Sequence, residues 1–279
     1  MALSVLTLNL WHDSGPWPER RRRIREWIER LDPDLIGFQE ALRGPGLDQA
    51  AELGEGLGRH VAFTRASDFW GDPRFAFGNA VVSRWPILQQ ATLRLPDSGD
   101  GETRSAICVT VEAPLGPVAF TSTHLHWKFH HGRVRERQVV ALCEFVLAQR
   151  PRGGFPPLVV GDFNAEPDAA EIRFVPGLQS LEGRSVHFRD AWRTAGGAGP
   201  GFTWSNRNPW ARPWLEPDRR IDYVFAGYPR RGGVGLVETC RVVCDDEVDG
   251  VWPSDHFGVY AELRTEPIPG LAEADPGSP

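Results

Sequence analysis

The chain has 279 residues, 41% of them hydrophobic, and a formal net charge of −6. This composition is ample for a packed core, while the negative charge argues against tight non-specific binding to long nucleic acid, which usually needs a basic surface. Neither a signal peptide nor an apolar run of about eighteen residues is present, so we expect a soluble, cytoplasmic protein without a transmembrane segment. The cysteines lack metal-type spacing, and we expect reduced thiols at Cys108, Cys143, Cys240 and Cys244.

The N-terminal part predicts a strand–helix–strand unit. Residues 3–9 alternate in polarity and predict a strand that ends on Asn9, and residues 34–39 predict a second strand that ends on Glu40. Between them, apolar residues at helical spacing predict an amphipathic helix over 20–31, whose Arg/Glu face we interpret as solvated. If the two strands are neighbours in one sheet, Asn9 and Glu40 converge at the same edge.

The middle of the chain predicts further strands and two helices. A weak helix is predicted over 47–57, strands over 78–87, 105–112 and 118–124, and a helix over 134–148. The strands 105–112 and 118–124 form a predicted antiparallel pair. The second of them places His124 and His126 on one face, because side chains two positions apart in a strand share a face.

The C-terminal part predicts strands over 158–161, 220–226, 237–243 and 253–263. From residue 265 onward, the Pro/Gly/Glu composition predicts a disordered tail. No linker or internal repeat is evident, so we expect one domain over 1–264 and a tail over 265–279. The predicted fold is α+β with two packed sheets.

The sequence Gly-Asp-Phe-Asn at 161–164 directly follows the buried strand 158–161. Gly161 allows a close backbone approach, and Asp162 and Asn164 leave the same face if the strand geometry persists. Buried polar groups are costly unless they bind something; a carboxylate suits a hard cation or a water molecule, and an amide can donate to a developing oxyanion. A capping turn is the alternative interpretation of the motif alone.

Six segments end a predicted strand or turn with polar residues: Asn9, Glu40, His124, Asp162 with Asn164, Asp222, and Asp255 with His256. One site at one edge of a two-sheet sandwich explains all six. The set resembles the endonuclease/exonuclease/phosphatase superfamily over essentially all of 3–263. Its members include deoxyribonucleases, abasic-site endonucleases, sphingomyelinases, inositol polyphosphate 5-phosphatases and deadenylases. The resemblance implies a four-layer sandwich of two mostly antiparallel sheets flanked by helices.

The resemblance also implies roles for the residues. Glu40 would be the principal ligand of Mg²⁺ or Mn²⁺, with Asn9 and Asp255 on the metal side. Asp162 would orient or deprotonate the attacking water, and Asn164 would steady that water or the transition state. His256, held by Asp222, would contact the phosphoryl oxygens or transfer a proton, and His124 would contact the phosphate or act as an acid. Such a set suits phosphoryl transfer, which needs charge neutralisation and an oriented water.

Other residues are candidates for the substrate side. Family position implies Asn79 and Arg104. Lys128, His130, His131 and Arg133 form a predicted basic rim that would grip a substrate phosphate, unless the segment is only a solvated loop. His126 is either a substrate contact or a half-buried structural group. Trp252 and the loop tryptophans Trp210 and Trp214 are candidates for a substrate wall, whereas Trp204 is interpreted as core.

Two departures from the abasic-site endonucleases bear on the branch. Trp11 stands where those enzymes have an acid, and they lack a histidine at the position of His124. The chain is therefore placed closer to the deoxyribonuclease, sphingomyelinase and phosphatase branches. The first hypothesis is a metal-dependent phosphodiesterase acting on a small or amphipathic substrate; the second is a DNA or RNA nuclease, and the third a catalytically inactive binding protein. No obligate protein partner is indicated.

Overall fold

The computed structural model describes residues 2–197 and 199–271. The strands are β1 (Ala2–Asn9), β2 (Leu35–Gly44), β3 (Leu47–Asp48), β4 (His60–Asp68), β5 (Ala76–Ser83), β6 (Ile87–Arg94), β7 (Ser105–Ala113), β8 (Gly116–His124), β9 (Leu158–Asp162), β10 (Arg189–Asp190), β11 (Asp222–Ala226), β12 (Val237–Val243) and β13 (Gly258–Arg264). The α-helices are α1 (Trp17–Leu31), α2 (Gln49–Gly54), α3 (Gly132–Gln149), α4 (Ala170–Phe174) and α5 (Ala191–Ala195).

The strands form two mostly antiparallel sheets. One has the order β12-β13-β1-β2-β5-β4, with β3 paired to β2, and the other has the order β10-β11-β9-β8-β7-β6. Each sheet contains one parallel pair near its centre, β1 with β2 and β8 with β9. The parallel pairing places Asn9, at the end of β1, beside Gln39 of β2, and His124, at the end of β8, beside Asp162 at the end of β9.

Three hydrophobic layers hold the sheets and helices together. Inward residues of both sheets, such as Val5, Ile107 and Val160, pack against one another. The outer face of the first sheet packs on α1 and α2 through residues such as Ile24 and Leu53, and the second sheet packs on α3 and α4. The predicted four-layer sandwich is therefore confirmed. No helix in the described parts of the chain is long and apolar enough to cross a membrane.

Several element predictions needed correction. Strand β2 does not end at Gln39 but continues to Gly44, with a register shift against β5 between Phe38 and Ala41. Strands β4 and β6 were not predicted. Apolar and polar residues alternate only weakly along these two strands, as expected for strands at the ends of their sheets.

The arginines of α1 also differ from the prediction of a solvated face. Arg20 is fully buried and Arg23 is nearly so. Each guanidinium nitrogen of Arg20 donates to main-chain carbonyls, which belong to Leu10, Trp11, His12, Ser14 and Pro253. Burial lowers the pKa of Arg20 to about 10, so it stays charged at neutral pH.

The predicted tail lies partly within the described residues. The amide of Ile268 donates to the Gly232 carbonyl at 2.7 Å, and residues 272–279 lie outside the described part. The division into a domain and a tail therefore stays a prediction.

A side chain at Gly161 would collide with the neighbouring strand of the second sheet. Its φ is 148°, and a Cβ atom there would lie 2.0 Å from the carbonyl oxygen of Thr123 on β8. We expect Gly161→Ala to lower the free energy of unfolding by about 3 kcal/mol or more, because the backbone of β8 cannot move aside as a flexible side chain could. Urea unfolding measures this loss. Gly197→Ala, which places a Cβ in open space, should change the free energy by less than about 0.5 kcal/mol. Equal effects of the two substitutions would contradict the steric argument.

Candidate active site

A cleft of about 570 Å³ opens where the ends of β1, β8 and β9 meet the middle of β2. Six of the residues predicted for catalysis or metal binding line it: Glu40, His124, Asp162, Asn164, Asp255 and His256. Asn9 and Asp222 lie directly behind, each hydrogen-bonded to one of the lining residues. The structure therefore brings these segments together at one edge of the two sheets.

Asp162 lies at the centre of this group. Strand pairing places it opposite His124 on one side and Asp222 on the other. Its Oδ2 accepts from Asn9 Nδ2 at 3.1 Å, and its Oδ1 accepts from the main-chain amide of Asn164 at 2.8 Å. The second bond closes an Asx turn in which Asn164 has a φ of 50°, a conformation that Asn tolerates. The carboxylate is thus fixed in position by amides that carry no charge.

His256 forms a buried pair with Asp222. Its Nδ1 donates to Asp222 Oδ2 at 2.9 Å, which leaves Nε2 directed toward Asp162 Oδ2 at 3.9 Å. Trp204 packs edge-on against the imidazole, with ring centroids 5.0 Å apart. The tryptophan interpreted as core therefore also covers one face of the histidine.

Burial and charge set the protonation states of this group. Burial alone would lower the pKa of His256, but the carboxylates of Asp222, Asp162 and Asp255 outweigh it and raise the pKa to about 10. Burial, followed by repulsion from Asp222, raises the pKa of Asp162 to about 7. At neutral pH, His256 is an imidazolium, while Asp162 is poised to give or take a proton.

His124 is the second imidazole of the cleft and is neutral. Burial, the Arg104 guanidinium and the charge of His256 hold its pKa well below the ordinary value. Arg104 Nη1, which can only donate, lies 3.2 Å from Nδ1, and Asn164 Nδ2, also a donor, lies 2.9 Å from Nε2. Nε2 also lies 3.4 Å from Asp162 Oδ2. The two imidazoles therefore differ in charge while facing the same carboxylate.

Glu40 is directed into the cleft by the irregularity in β2. Its φ is 55°, and it falls within the register shift that distinguishes this strand from a regular ladder. Such bulges re-aim side chains next to active sites. Trp11 and His12 in the cleft wall also have positive φ, 55° and 37°. Backbone strain of this kind is common where residues are held for function, although other residues with positive φ, such as Asp32 and Glu182, lie away from the site.

The carboxylates outnumber the positive charges here, and this donor set fits a divalent cation. Burial, and after it the charge of Glu40, raises the pKa of Asp255 to about 7. Asp222 Oδ1 is buried without a hydrogen-bond partner. Hard cations such as Mg²⁺ prefer such carboxylate oxygens. Ligand atoms of Asp162, Asp222 and His256 also lie within 4.8 Å of one another, but His256 Nδ1 is already bonded to Asp222.

Other predicted residues lie around or apart from the cleft. Asn79 is buried in β5 and donates to the Ser105 carbonyl at 2.7 Å, and Trp252 stacks on Phe257; neither lines the cleft. Arg104 does line it and is held by Glu102 as well as His124.

The predicted basic rim beside the cleft is neutralised only in part. Lys128 is paired with Asp100. His126 is buried, and its ring stacks on His131 with centroids 4.3 Å apart. Lys128 is thus neutralised by a carboxylate, whereas Arg133 is exposed and forms no ion pair within the described residues.

Sequence reasoning missed two groups near the site. Arg20 connects the main chain that follows Asn9 to the Pro253 carbonyl, two residues before Asp255. Trp70 projects into the cleft between β4 and β5. Trp70 was missed because β4, the strand before it, was not predicted. Without β4, the loop that carries Trp70 could not be placed beside the site.

The fold and the site define a class of protein, a two-sheet sandwich that gathers carboxylates, amides and imidazoles at one edge. The model of the Endonuclease/Exonuclease/phosphatase family matches residues 6–256, and the chain belongs to this family. Membership of this family supports a hydrolase of phosphate esters, either a phosphoesterase or a nuclease.

Solved structures share the fold. An endonuclease/exonuclease/phosphatase from Beutenbergia cavernae DSM 12333 is 27% identical, with a TM-score of 0.71 over 94% of this chain and 71% of that chain. One from Bacteroides vulgatus is 21% identical, with a TM-score of 0.72 over 95% of this chain and 100% of that chain. D. rerio TDP2, complexed with single strand DNA product, is 17% identical, with a TM-score of 0.74 over 94% of this chain and 99% of that chain. None of the curated proteins compared with the chain matches it.

Proposed function

We propose that the protein is a phosphodiesterase that depends on Mg²⁺ or Mn²⁺. The observation that carries the proposal is the charged pair of His256 and Asp222 beside Asp162, whose pKa is raised to about 7. A base with a pKa near the working pH is well suited to take a proton from water. Family membership supports the reaction class.

In the proposed reaction, Asp162 receives the proton of the attacking water while Asn9 and Asn164 hold its orientation. The imidazolium of His256 stabilises the negative charge that develops on the phosphoryl oxygens. His124, whose Nε2 lies beside Asp162, would contact the same group. Glu40 and Asp255, with Asn9 nearby, would hold the cation, which neutralises phosphate charge and lowers the pKa of bound water.

The first test is hydrolysis of bis(p-nitrophenyl) phosphate, p-nitrophenyl phosphate and supercoiled plasmid in parallel, with Mg²⁺, Mn²⁺ or EDTA. We expect metal-dependent cleavage of the diester that Asn164→Ala reduces at least about 100-fold, because the side-chain amide proposed to steady the attacking water is lost, while the main-chain bond to Asp162 remains. Gln90→Ala, which removes an exposed amide on β6, is the matched control. Diester cleavage that persists in EDTA would overturn the proposal.

A nuclease is the second candidate, favoured by the shared fold with a protein solved in complex with single strand DNA product. Metal-dependent nicking of the plasmid, without cleavage of the small esters, would support it over the first proposal.

The raised pKa of Asp255 predicts how metal affinity depends on pH. Below its pKa of about 7 the carboxyl is protonated and must lose that proton before it binds a cation. We therefore expect the affinity for Mn²⁺ to rise about tenfold per pH unit up to about pH 7 and then level off. Isothermal titration calorimetry at several pH values measures this, and Asp255→Asn should flatten the slope. An affinity unchanged between about pH 6 and pH 8 would show that Asp255 is not a ligand.

A further inference from the structure

Three exposed tryptophans surround the opening of the cleft. Trp70 is 69% exposed, Trp214 is 57% exposed and Trp127 is 44% exposed, and all three line the cleft. They come from separate segments, between β4 and β5, after β8, and before β11. Exposed apolar surface that rims a concave site commonly marks the place where a ligand binds.

Trp70 is also backed by other rings, although it faces solvent. Its ring centroid lies 4.9 Å from Phe69, 5.1 Å from Phe77 and 5.2 Å from His12. Because these neighbours restrict it, little conformational entropy remains to be lost when a flat or apolar group packs on it. Trp70 is therefore suited to form a wall for such a group.

The charges at the opening are paired. Both arginines that line the cleft contact carboxylates, Arg104 with Glu102 and Arg219 with Glu216. Arg219 also lies 4.5 Å from the ring centroid of Phe129. A polyanion gains its affinity from Lys and Arg that are available to its phosphates. This opening offers a long nucleic acid no such unpaired cation among the described lining residues.

We propose that the substrate is a compact phosphodiester with a single phosphate, whose uncharged aromatic or apolar substituent packs against Trp70. The inference rests on the proposed function for the position of the phosphate, which lies at Asp162 and His256. A cleft of about 570 Å³ is of the size that holds a small organic molecule. The neutral, aromatic opening then selects the substituent.

The test compares bis(p-nitrophenyl) phosphate with a single-stranded oligonucleotide, using the full chain with Mn²⁺ at about 50 and 200 mM NaCl. We expect the aryl diester to have the higher kcat/KM, with less than about a threefold change across that salt range, far below the loss typical of nucleic-acid binding. Trp70→Ala should raise KM about tenfold with kcat within about twofold, and Trp70→Phe should restore most of the affinity. Tyr228→Ala, which removes a 70% exposed ring outside the cleft, should change neither constant.

A preference for the oligonucleotide with a steep salt dependence would overturn the inference, and so would an unchanged KM in Trp70→Ala. Absence of turnover on every substrate would instead contradict the proposed function. In that case, calorimetric binding of bis(p-nitrophenyl) phosphate decides the inference. Binding that Trp70→Ala weakens about tenfold supports it, and equal binding by the two proteins overturns it.

Discussion

Replacing His256 by alanine is expected to lower kcat/KM for the phosphodiester about 10³-fold, with a smaller change in KM. The imidazolium lies 2.9 Å from Asp222 and faces Asp162, so it is placed to act on charge that appears only during reaction. Removal of a positioned acid or base typically costs 10²–10⁴-fold, roughly the range expected here. Steady-state kinetics on the variant and the parent protein measure the loss.

Asp222→Asn, at the hydrogen-bond partner of His256, removes the negative charge while keeping the shape of the side chain. Burial opposes protonation of His256, and the carboxylates raise its pKa to about 10 despite that. Without the charge of Asp222 the pKa falls, and since the imidazolium is lost as pH rises through the pKa, the alkaline limb of the pH profile moves to lower pH. A limb that stays in place would show that His256 does not act as an imidazolium. Asp190→Asn, which alters a buried carboxylate paired with Arg220, is a control for packing effects.

Glu40→Gln is expected to weaken Mn²⁺ binding about 100-fold and to lower activity about 10³-fold at millimolar metal, with partial recovery at higher concentration. The amide keeps the shape of the side chain but removes a charge from a cluster of carboxylates. The charge of Glu40 contributes to the raised pKa of Asp255, so its removal also eases ionisation of Asp255. Calorimetry measures the affinity.

Metal-induced thermal stabilisation is the second measurement on the Glu40 variant. The metal-free variant should be at least as stable as the parent, because a repulsive charge is gone, while the rise in Tm on adding Mn²⁺ should shrink. Glu112→Gln, on the solvent-facing side of β7 at its far end, should leave both measurements unchanged. An unaltered Mn²⁺ affinity in Glu40→Gln would place the cation elsewhere.

Sequence reasoning located most of the site because strand ends are visible in a sequence. The parallel pairs β1 with β2 and β8 with β9 bring Asn9, Glu40, His124 and Asp162 to one edge, as the strand-end pattern predicted. Hydrophobic runs mark buried strands, and a polar residue after such a run marks the point where the strand meets solvent or a ligand. The four-layer fold followed from the same pattern together with the family resemblance.

The remaining features depend on backbone geometry and on contacts between distant segments. The irregularity at Glu40 inserts one extra residue into β2, and no residue pattern in the sequence marks its position. Arg20 was interpreted as solvated because helical spacing alone cannot show that the carbonyls of two loops will surround it. The pairing of the basic residues at the cleft opening likewise depends on which loops meet.

The position of the first strand has a consequence for synthesis on the ribosome. Strand β1 lies between β2 and β13, with Thr7 opposite Val259, and the hydroxyl of Ser254 donates to the Asn9 carbonyl at 2.7 Å. While the chain emerges, one edge of β1 has no partner until β13 is made, and open edges recruit other chains. The segment that finally covers this edge also delivers Asp255 and His256. A nascent chain therefore acquires these two site residues in the same step that covers an open edge in the middle of its first sheet.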